Sequence, residues 1–274
     1  MVDPAQDARS MERLLSIMTR LRDPESGCPW DIEQTFQSIV PHTIEEAYEV
    51  ADAVEHGNTG HLMEELGDLL LQVVFYAQMA QEDGGFDFHD VVQAVSDKLV
   101  RRHPHVFGDR EVADAEAQIE HWENLKEAER GEKAAESVLD DVAGALPALT
   151  RAGKLQKRAA RVGFDWPDVG GPLAKIREET EEVRLSLAAN DNEDHSPELD
   201  RELGDLLFSV VNLARKTDID PESALRHANE RFEHRFRQVE RGLADAGRDL
   251  KAASLEEMDG LWQAAKEREK EDRS

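Results

Sequence analysis

Apolar residues recur every three to four positions along most of this chain, the spacing that places them on one face of an α-helix. The clearest run, residues 61–82, carries Leu66, Leu69, Leu70, Val73, Val74 and Ala77 in this way. Glycine and proline interrupt the pattern and predict the helix ends. We therefore predict helices over 8–22, 44–56, 61–82, 88–102 and 113–129, and again over 141–161, 171–189, 197–216, 221–246 and 254–271.

The loops between these helices are short, which is typical of antiparallel neighbours in a helical bundle. Thr43 precedes the helix predicted at 44–56 and is the expected cap for it. Signals for β-strands are nearly absent. The pattern therefore predicts an all-α fold.

The helical pattern is repeated along the chain. The segment ELGDLLLQVV at 65–74 matches ELGDLLFSVV at 202–211, and a loop ending in Trp30 matches one ending in Trp166. The repeating unit is a whole domain, because the offset between matched residues changes only in turn-rich stretches. We predict a tandem repeat of two four-helix-bundle domains, with a first domain at 1–130, a charged linker at 131–138 and a second domain at 139–274.

Composition excludes several classes of protein. The net charge of −27 disfavours a duplex nucleic-acid partner and an anionic membrane surface, because both are bound through basic residues. Cys28 is the only cysteine, so an intrachain disulfide and a cysteine-based zinc site are excluded. No apolar stretch approaches the roughly 20 residues that span a bilayer. Residues 1–10 lack the apolar core of a secretion signal, and we expect a cytoplasmic protein.

Two acidic motifs occur in each copy. The sequence EExxE stands at 45–49 and at 178–182, and each is followed on the next helix by ExxD. Residues three or four apart share a helix face, so antiparallel neighbours would bring two carboxylates from each helix together. The first set is Glu46, Glu49, Glu65 and Asp68, and the second is Glu179, Glu182, Glu202 and Asp205. So many carboxylates need a cation between them, and oxygen ligands suit magnesium or manganese.

A solvated acidic face is the simpler explanation of any one EExxE motif. Three observations favour a metal site instead: the motif is duplicated, Glu65 and Asp68 border the apolar stripe, and Gly67 and Gly204 lie mid-helix. Glycine there costs about 1 kcal/mol relative to alanine and is usually tolerated for the close approach of a helix or a ligand.

Other chemistries lack their motifs. None of the ten histidines follows a glutamate by three residues, which argues against a di-iron carboxylate bundle. A Walker phosphate loop and a dinucleotide-binding glycine motif are also absent from the sequence. Basic and aromatic residues repeat instead at helical spacing, where they could surround a metal-bound triphosphate: Lys98 and Arg102, Arg231 and Arg235, Trp122 and Lys126, Trp262 and Lys266.

The combination of EExxE, ELGDLL, RRHPHVFGD at 101–109 and GFDW at 163–166 closely resembles the MazG family of all-α nucleoside triphosphate pyrophosphohydrolases. The resemblance covers nearly the whole chain. It implies a homodimer of MazG-like domains that hydrolyses nucleoside triphosphates to monophosphate and pyrophosphate, with magnesium, over a broad range of nucleotides, in control of the nucleotide pool.

The resemblance also implies roles for individual residues. Glu179, Glu182, Glu202 and Asp205 would bind the metal in the second copy, and Glu178 could take the proton from water. Phosphates and base would be bound by Lys126, Lys175, Arg231, Arg235, Trp262 and Lys266. The family pattern often has lysine at position 231 and can have lysine at position 198, where this chain has Arg231 and Glu198.

Several alternatives stay open. The first copy keeps its carboxylates, so it could be a second catalytic site, a regulatory nucleotide site or a dimerisation module. The chain could also be a narrower pyrophosphohydrolase, for dUTP, dCTP or phosphoribosyl-ATP. A non-catalytic helical scaffold would leave the carboxylates as solvated faces.

Overall fold

The computed structural model describes residues 10–109, 114, 118, 137–189 and 196–271. Every regular element in these ranges is helical, which confirms the all-α class. The chain divides into two compact units, Met1–Glu129 and Arg130–Ser274, as expected of a tandem repeat. The linker predicted at 131–138 lies largely outside the described ranges, and its limits remain a prediction.

The first unit is built around one long helix that contacts three others. Its helices are α1 (Met11–Leu21), α2 (Pro29–Glu33), α3 (Phe36–Glu55), α4 (Thr59–Glu82), α5 (Phe88–Arg102) and α6 (Pro104–Phe107). Helix α4 packs against α1, α3 and α5. The core of the first unit is formed by Met18, Ile39, Val74, Phe75 and Met79, all of which are nearly inaccessible to solvent.

The second unit has the same central pair of helices. Its elements are α7 (Ala148–Arg161), α8 (Gly170–Ala189), α9 (Pro197–Lys216), α10 (Pro221–Asp245), a 3₁₀ turn (Leu250–Ala252) and α11 (Leu255–Glu271). Helix α9 packs along α8 and against α7, while α10 packs against α11. The pairs α3–α4 and α8–α9 therefore bring each EExxE motif beside its ExxD motif.

Two predicted helix starts are wrong. Helix α3 begins at Phe36 rather than at residue 44, and Thr35 caps it in a reciprocal capping box with Ser38. Pro41 lies inside this helix. The free-energy cost of a proline inside a helix is offset because Ile39 is buried and the ring of Phe36 stacks on that of Tyr76, with 6.0 Å between ring centroids.

The hydroxyl of Thr43, the expected cap, instead donates to the carbonyl of Ile39 at 3.2 Å. Helix α7 begins at Ala148 rather than at residue 141. Asp141 has a left-handed backbone, with φ of 63°, and Pro147 stands directly before the helix. A helix cannot run through either position without strain.

The other predicted helices that are described lie within two residues of their predicted limits, apart from α1, which begins three residues late at Met11. The short helices α2 and α6 were not predicted. The helix predicted at 113–129 falls almost entirely outside the described residues. Among the helices that are described, none combines the length and apolar content needed to cross a membrane.

Candidate functional site

The second copy brings three of its predicted carboxylates to one point. Oxygens of Glu179 on α8 and of Glu202 and Asp205 on α9 all lie within 4.8 Å of one another. Glu179 is 2% exposed and Glu202 is 5% exposed, and the Oε2 atom of each is buried without a hydrogen-bond partner. Buried charged oxygens of this kind are costly unless a cation meets them, so the donor set fits a hard divalent ion.

Glu182, the fourth predicted ligand, borders this group. A hydrogen bond with Glu179, together with burial and the neighbouring charges of Glu179 and Glu202, raises the pKa of Glu182 above its ordinary value. A carboxylate whose pKa is raised by other carboxylates gains most from a cation placed among them. Glu182 therefore lies next to this group, although it is not one of the three whose oxygens converge, and its role as a ligand stays a prediction.

The first copy repeats the arrangement. Oxygens of Glu46 and Glu49 on α3 and of Glu65 on α4 lie within 4.8 Å of one another. The Oε2 atom of Glu46 is buried and lacks a hydrogen-bond partner. Burial, and then the charges of Asp68 and Glu49, raise the pKa of Glu46. Asp68 is thus close enough to act on this cluster, although it is not one of the three that converge.

Cations differ sharply between the two copies. In the second copy, Lys175 donates to Glu178 at 2.8 Å and pairs with Glu179 at 2.6 Å. Arg201 pairs with the Oε1 atom of Glu202 and lies 3.6 Å from Asp205. Hydrogen bonds to Glu178 and Glu179 raise the pKa of Lys175, which keeps it charged. Two permanent cations therefore share the second carboxylate cluster.

Histidines contact carboxylates of the first copy. His61 Nδ1 lies 2.9 Å from the Oε1 atom of Glu65, and His42 Nδ1 lies 3.8 Å from Glu45. The rings of His42 and Trp30 meet edge to face, 5.9 Å between centroids. The net effect of burial and neighbouring groups is to raise the pKa of Glu65, and the charge of His61 opposes that rise.

Sequence analysis missed His42, His61 and Arg201. A signal for the two histidines was present, because His42 stands four residues before Glu46 and His61 four residues before Glu65. Lys175 stands four residues before Glu179 in the same way. A search for Glu-x-x-His does not detect this spacing, because the imidazole precedes the carboxylate.

The residues expected to bind base and phosphate are only partly brought together. The guanidinium of Arg235 lies over the ring of Trp262 at 5.7 Å, and the ring of Phe232 lies 5.2 Å from that of Trp262. Glu269, which sequence analysis missed, receives hydrogen bonds from Arg235, the shortest being 2.7 Å. The described contacts do not join this group to the carboxylates.

The remaining basic residues have weaker structural support. Arg231 and Lys98 are exposed, and Arg102 and Lys266 are half-buried. Lys126 lies outside the described residues. These assignments stay predictions.

Each ExxD helix presents an uncovered apolar stripe. On α4 it comprises Met63, Leu66 and Val73, and on α9 it comprises Leu203, Leu207 and Val210, all exposed. A Cβ placed on Gly67 or Gly204 would meet nothing within 4 Å. The close approach expected at these glycines is therefore not made by the described part of the chain.

Comparison with known proteins identifies the same two segments. The MazG nucleotide pyrophosphohydrolase domain matches residues 34–107 and 172–240, and each match contains one carboxylate cluster. The chain is 52% identical over 259 residues to a nucleoside triphosphate pyrophosphohydrolase of Escherichia coli (strain K12), covering 94% of this chain and 98% of that protein.

Two further relatives carry related names. The chain is 44% identical over 255 residues to the nucleoside triphosphate pyrophosphohydrolase/pyrophosphatase MazG of Thermotoga maritima, covering 93% of this chain and 95% of that protein. It is 33% identical over 251 residues to a nucleoside triphosphate pyrophosphohydrolase of Mycobacterium tuberculosis, covering 91% of this chain and 65% of that protein.

Proposed function

The chain belongs to the MazG nucleotide pyrophosphohydrolase family, and on that premise we propose that it hydrolyses nucleoside triphosphates to nucleoside monophosphate and pyrophosphate. The observation that carries the proposal is the pair of buried, unpartnered oxygens on Glu179 and Glu202 beside Asp205. They supply the anionic, oxygen-only ligand set that magnesium or manganese prefers. The ligands are Glu179, Glu182, Glu202 and Asp205 in the second copy and Glu46, Glu49, Glu65 and Asp68 in the first.

A divalent ion bound there supplies Lewis-acid polarisation of the phosphates and lowers the pKa of water. The chain's own groups hold the substrate and move the proton. Glu178 is exposed and shares Lys175 with Glu179, so it lies beside the cluster, where it can accept a proton from the attacking water. Lys175 holds Glu178 and Glu179 together and presents a positive charge to the phosphates.

Base recognition is broad. Trp262, with Arg235 over its face, offers a stacking surface, and every nucleobase has a π-face to place on it. Arg231 and Lys266, with Lys126, add positive charge for the phosphates. A protein of this kind removes nucleotides from the cellular pool, which fits a cytoplasmic location.

The apolar stripes support a homodimer. Leu203, Leu207 and Val210 lie one helical turn apart with Gly204 among them, so a second helix could pack closely on this face. The stripe on α4 has the same form. Light scattering coupled to size-exclusion chromatography tests the assembly, which should give twice the chain mass; a monomeric mass at micromolar concentration would contradict it.

A nucleotide panel tests the activity and its breadth. The chain is incubated with Mg²⁺ and each of the eight common ribo- and deoxyribonucleoside triphosphates, and pyrophosphate release is measured with and without EDTA. We expect release from most of the panel, abolished by EDTA. Preference for dUTP or dCTP alone would support the narrower pyrophosphohydrolase, and no release from any nucleotide would support the scaffold.

A further inference from the structure

The two carboxylate clusters have different electrostatic surroundings although their ligands match. In the second copy, the oxygens Glu179 Oε1 and Glu202 Oε1 are already paired with Lys175 and Arg201. The Oε2 atoms of both glutamates, which are buried and lack a hydrogen-bond partner, are left for another cation. A bare divalent ion must therefore bind next to two permanent positive charges.

The described part of the first copy lacks this internal neutralisation. Within its described residues, no lysine or arginine forms an ion pair with Glu46, Glu49, Glu65 or Asp68. His42 and Glu64 stand at the positions of Lys175 and Arg201, and the cluster's direct basic contact is His61 on Glu65. Apart from the contact of His61 with Glu65, the described residues leave the negative charge of this cluster available to a metal.

A triphosphate changes the balance in the second copy. Its phosphate oxygens can take over Lys175 and Arg201 as partners, which frees the Oε1 atoms of both glutamates. They also supply negative charge next to the two cations, so the ion no longer meets an excess of positive charge. Metal and triphosphate should therefore bind there together.

From this contrast we propose that the first cluster binds the divalent ion alone, whereas the second binds it only as a complex with a triphosphate. The part that concerns the triphosphate rests on the proposed function. The first copy is then a resident-metal site, and the second fills only when substrate arrives.

Equilibrium dialysis against Mn²⁺ tests this directly. One variant removes the second site (Glu179→Gln with Glu202→Gln), and the matched variant removes the first (Glu46→Gln with Glu65→Gln). Without nucleotide, the intact first site should bind Mn²⁺ at least about 10-fold more tightly than the intact second site. Equal dissociation constants would overturn the proposal.

The same dialysis is then repeated with α,β-methylene-ATP. The nucleotide is added to both sides of the dialysis membrane, which corrects for its own chelation of Mn²⁺. We expect Mn²⁺ binding to tighten at least about 10-fold at the second site and to change less than about twofold at the first. Tightening to the same extent at both sites would overturn the proposal as well.

Exchanging the cations gives an independent test. Lys175→His with Arg201→Glu gives the second copy the residues of the first, and His42→Lys with Glu64→Arg does the reverse. Nucleotide-free Mn²⁺ binding should tighten about 10-fold in the former and weaken about 10-fold in the latter, with circular dichroism verifying the fold. If neither exchange shifts the affinity for Mn²⁺, the fixed cations do not set the difference in metal affinity between the two clusters, and the proposal is overturned. Absence of pyrophosphate release would instead contradict the proposed function, and the dialysis without nucleotide would remain interpretable.

Discussion

The two halves of this chain hold nearly the same carboxylates against different cations. Glu179 and Glu202 each meet a permanent cation, whereas Glu65 meets a histidine. The carboxylates follow from the repeated helix pattern, and they make both halves capable of binding metal. The cations beside them decide what else each half can hold, because lysine and arginine bind phosphate as well as carboxylate.

The largest expected difference between the halves is in turnover. Glu179→Gln with Asp205→Asn removes two anionic ligands from the second copy and should lower kcat at least about 1,000-fold. The matched Glu46→Gln with Asp68→Asn should leave kcat within about threefold. Steady-state pyrophosphate release measures both. Survival of activity in the former variant would move the chemistry to the first copy.

A smaller effect is expected at the paired cation positions. Lys175→Ala removes the ammonium that holds Glu178 and Glu179, and kcat/KM should fall about 100-fold. His42→Ala is the matched change in the first copy, and its effect should stay within about threefold. Equal losses in the two variants would mean that both copies handle phosphate.

The apolar stripes provide a comparison at the dimer interface. Val73 and Val210 are matched positions, 37% and 44% exposed, and they lie about two turns beyond Glu65 and Glu202 respectively. If both stripes are covered in the dimer, Val73→Glu and Val210→Glu should each weaken dimerisation by at least about 10-fold, because each buries a charge. Sedimentation velocity across a dilution series measures this. A loss in only one variant assigns the interface to that copy.

The smallest expected effect concerns acid stability. In the second unit, hydrogen bonds from Arg215 and Lys216 hold the pKa of Asp165 at about 2, despite burial. A carboxyl whose pKa is lowered by folding stabilises the folded state above its unfolded pKa, near 4, and that contribution is lost as pH falls towards 2.

Asp165→Asn should therefore cost about 1 kcal/mol at pH 7 and almost nothing near pH 2, as followed by thermal unfolding with circular dichroism. The matching substitution in the first unit is Glu82→Gln, for which we expect the same dependence on pH. Hydrogen bonds from Arg22 and Gln78 outweigh burial there and also lower the pKa of Glu82, so its cost should likewise fade in acid. A cost of Asp165→Asn that stays constant with pH would mean that the interaction is not ionic.

The repeat and most helix limits could be predicted from the sequence, because helical periodicity is a local property. Helix 197–216 is one example, with Ser196 as its cap and Thr217 after its end. The start of α3 could not be predicted, because the packing of Ile39 and Phe36 outweighs the presence of Pro41. Local signals near residue 43 favoured the later start.

The converging carboxylates could also be predicted, since i, i+3 and i, i+4 spacing fixes a helix face. Their partners were harder to predict. Arg201 contacts Glu202, its immediate neighbour in the sequence, and helix spacing indicates only its longer pair with Asp205, four residues on. Glu269 meets Arg235 from another helix, 34 residues away, and no local pattern indicates such a pair.

From the lysine and the arginine beside the second cluster, we propose that the second copy cleaves triphosphates between the α- and β-phosphates. Phosphorus NMR of ATP and Mg²⁺ with the Glu46→Gln, Asp68→Asn variant tests it most directly, because only the second cluster is then intact. We expect AMP and pyrophosphate in equal amounts, at close to the rate of the unaltered chain. ADP with orthophosphate, or no turnover, would contradict it.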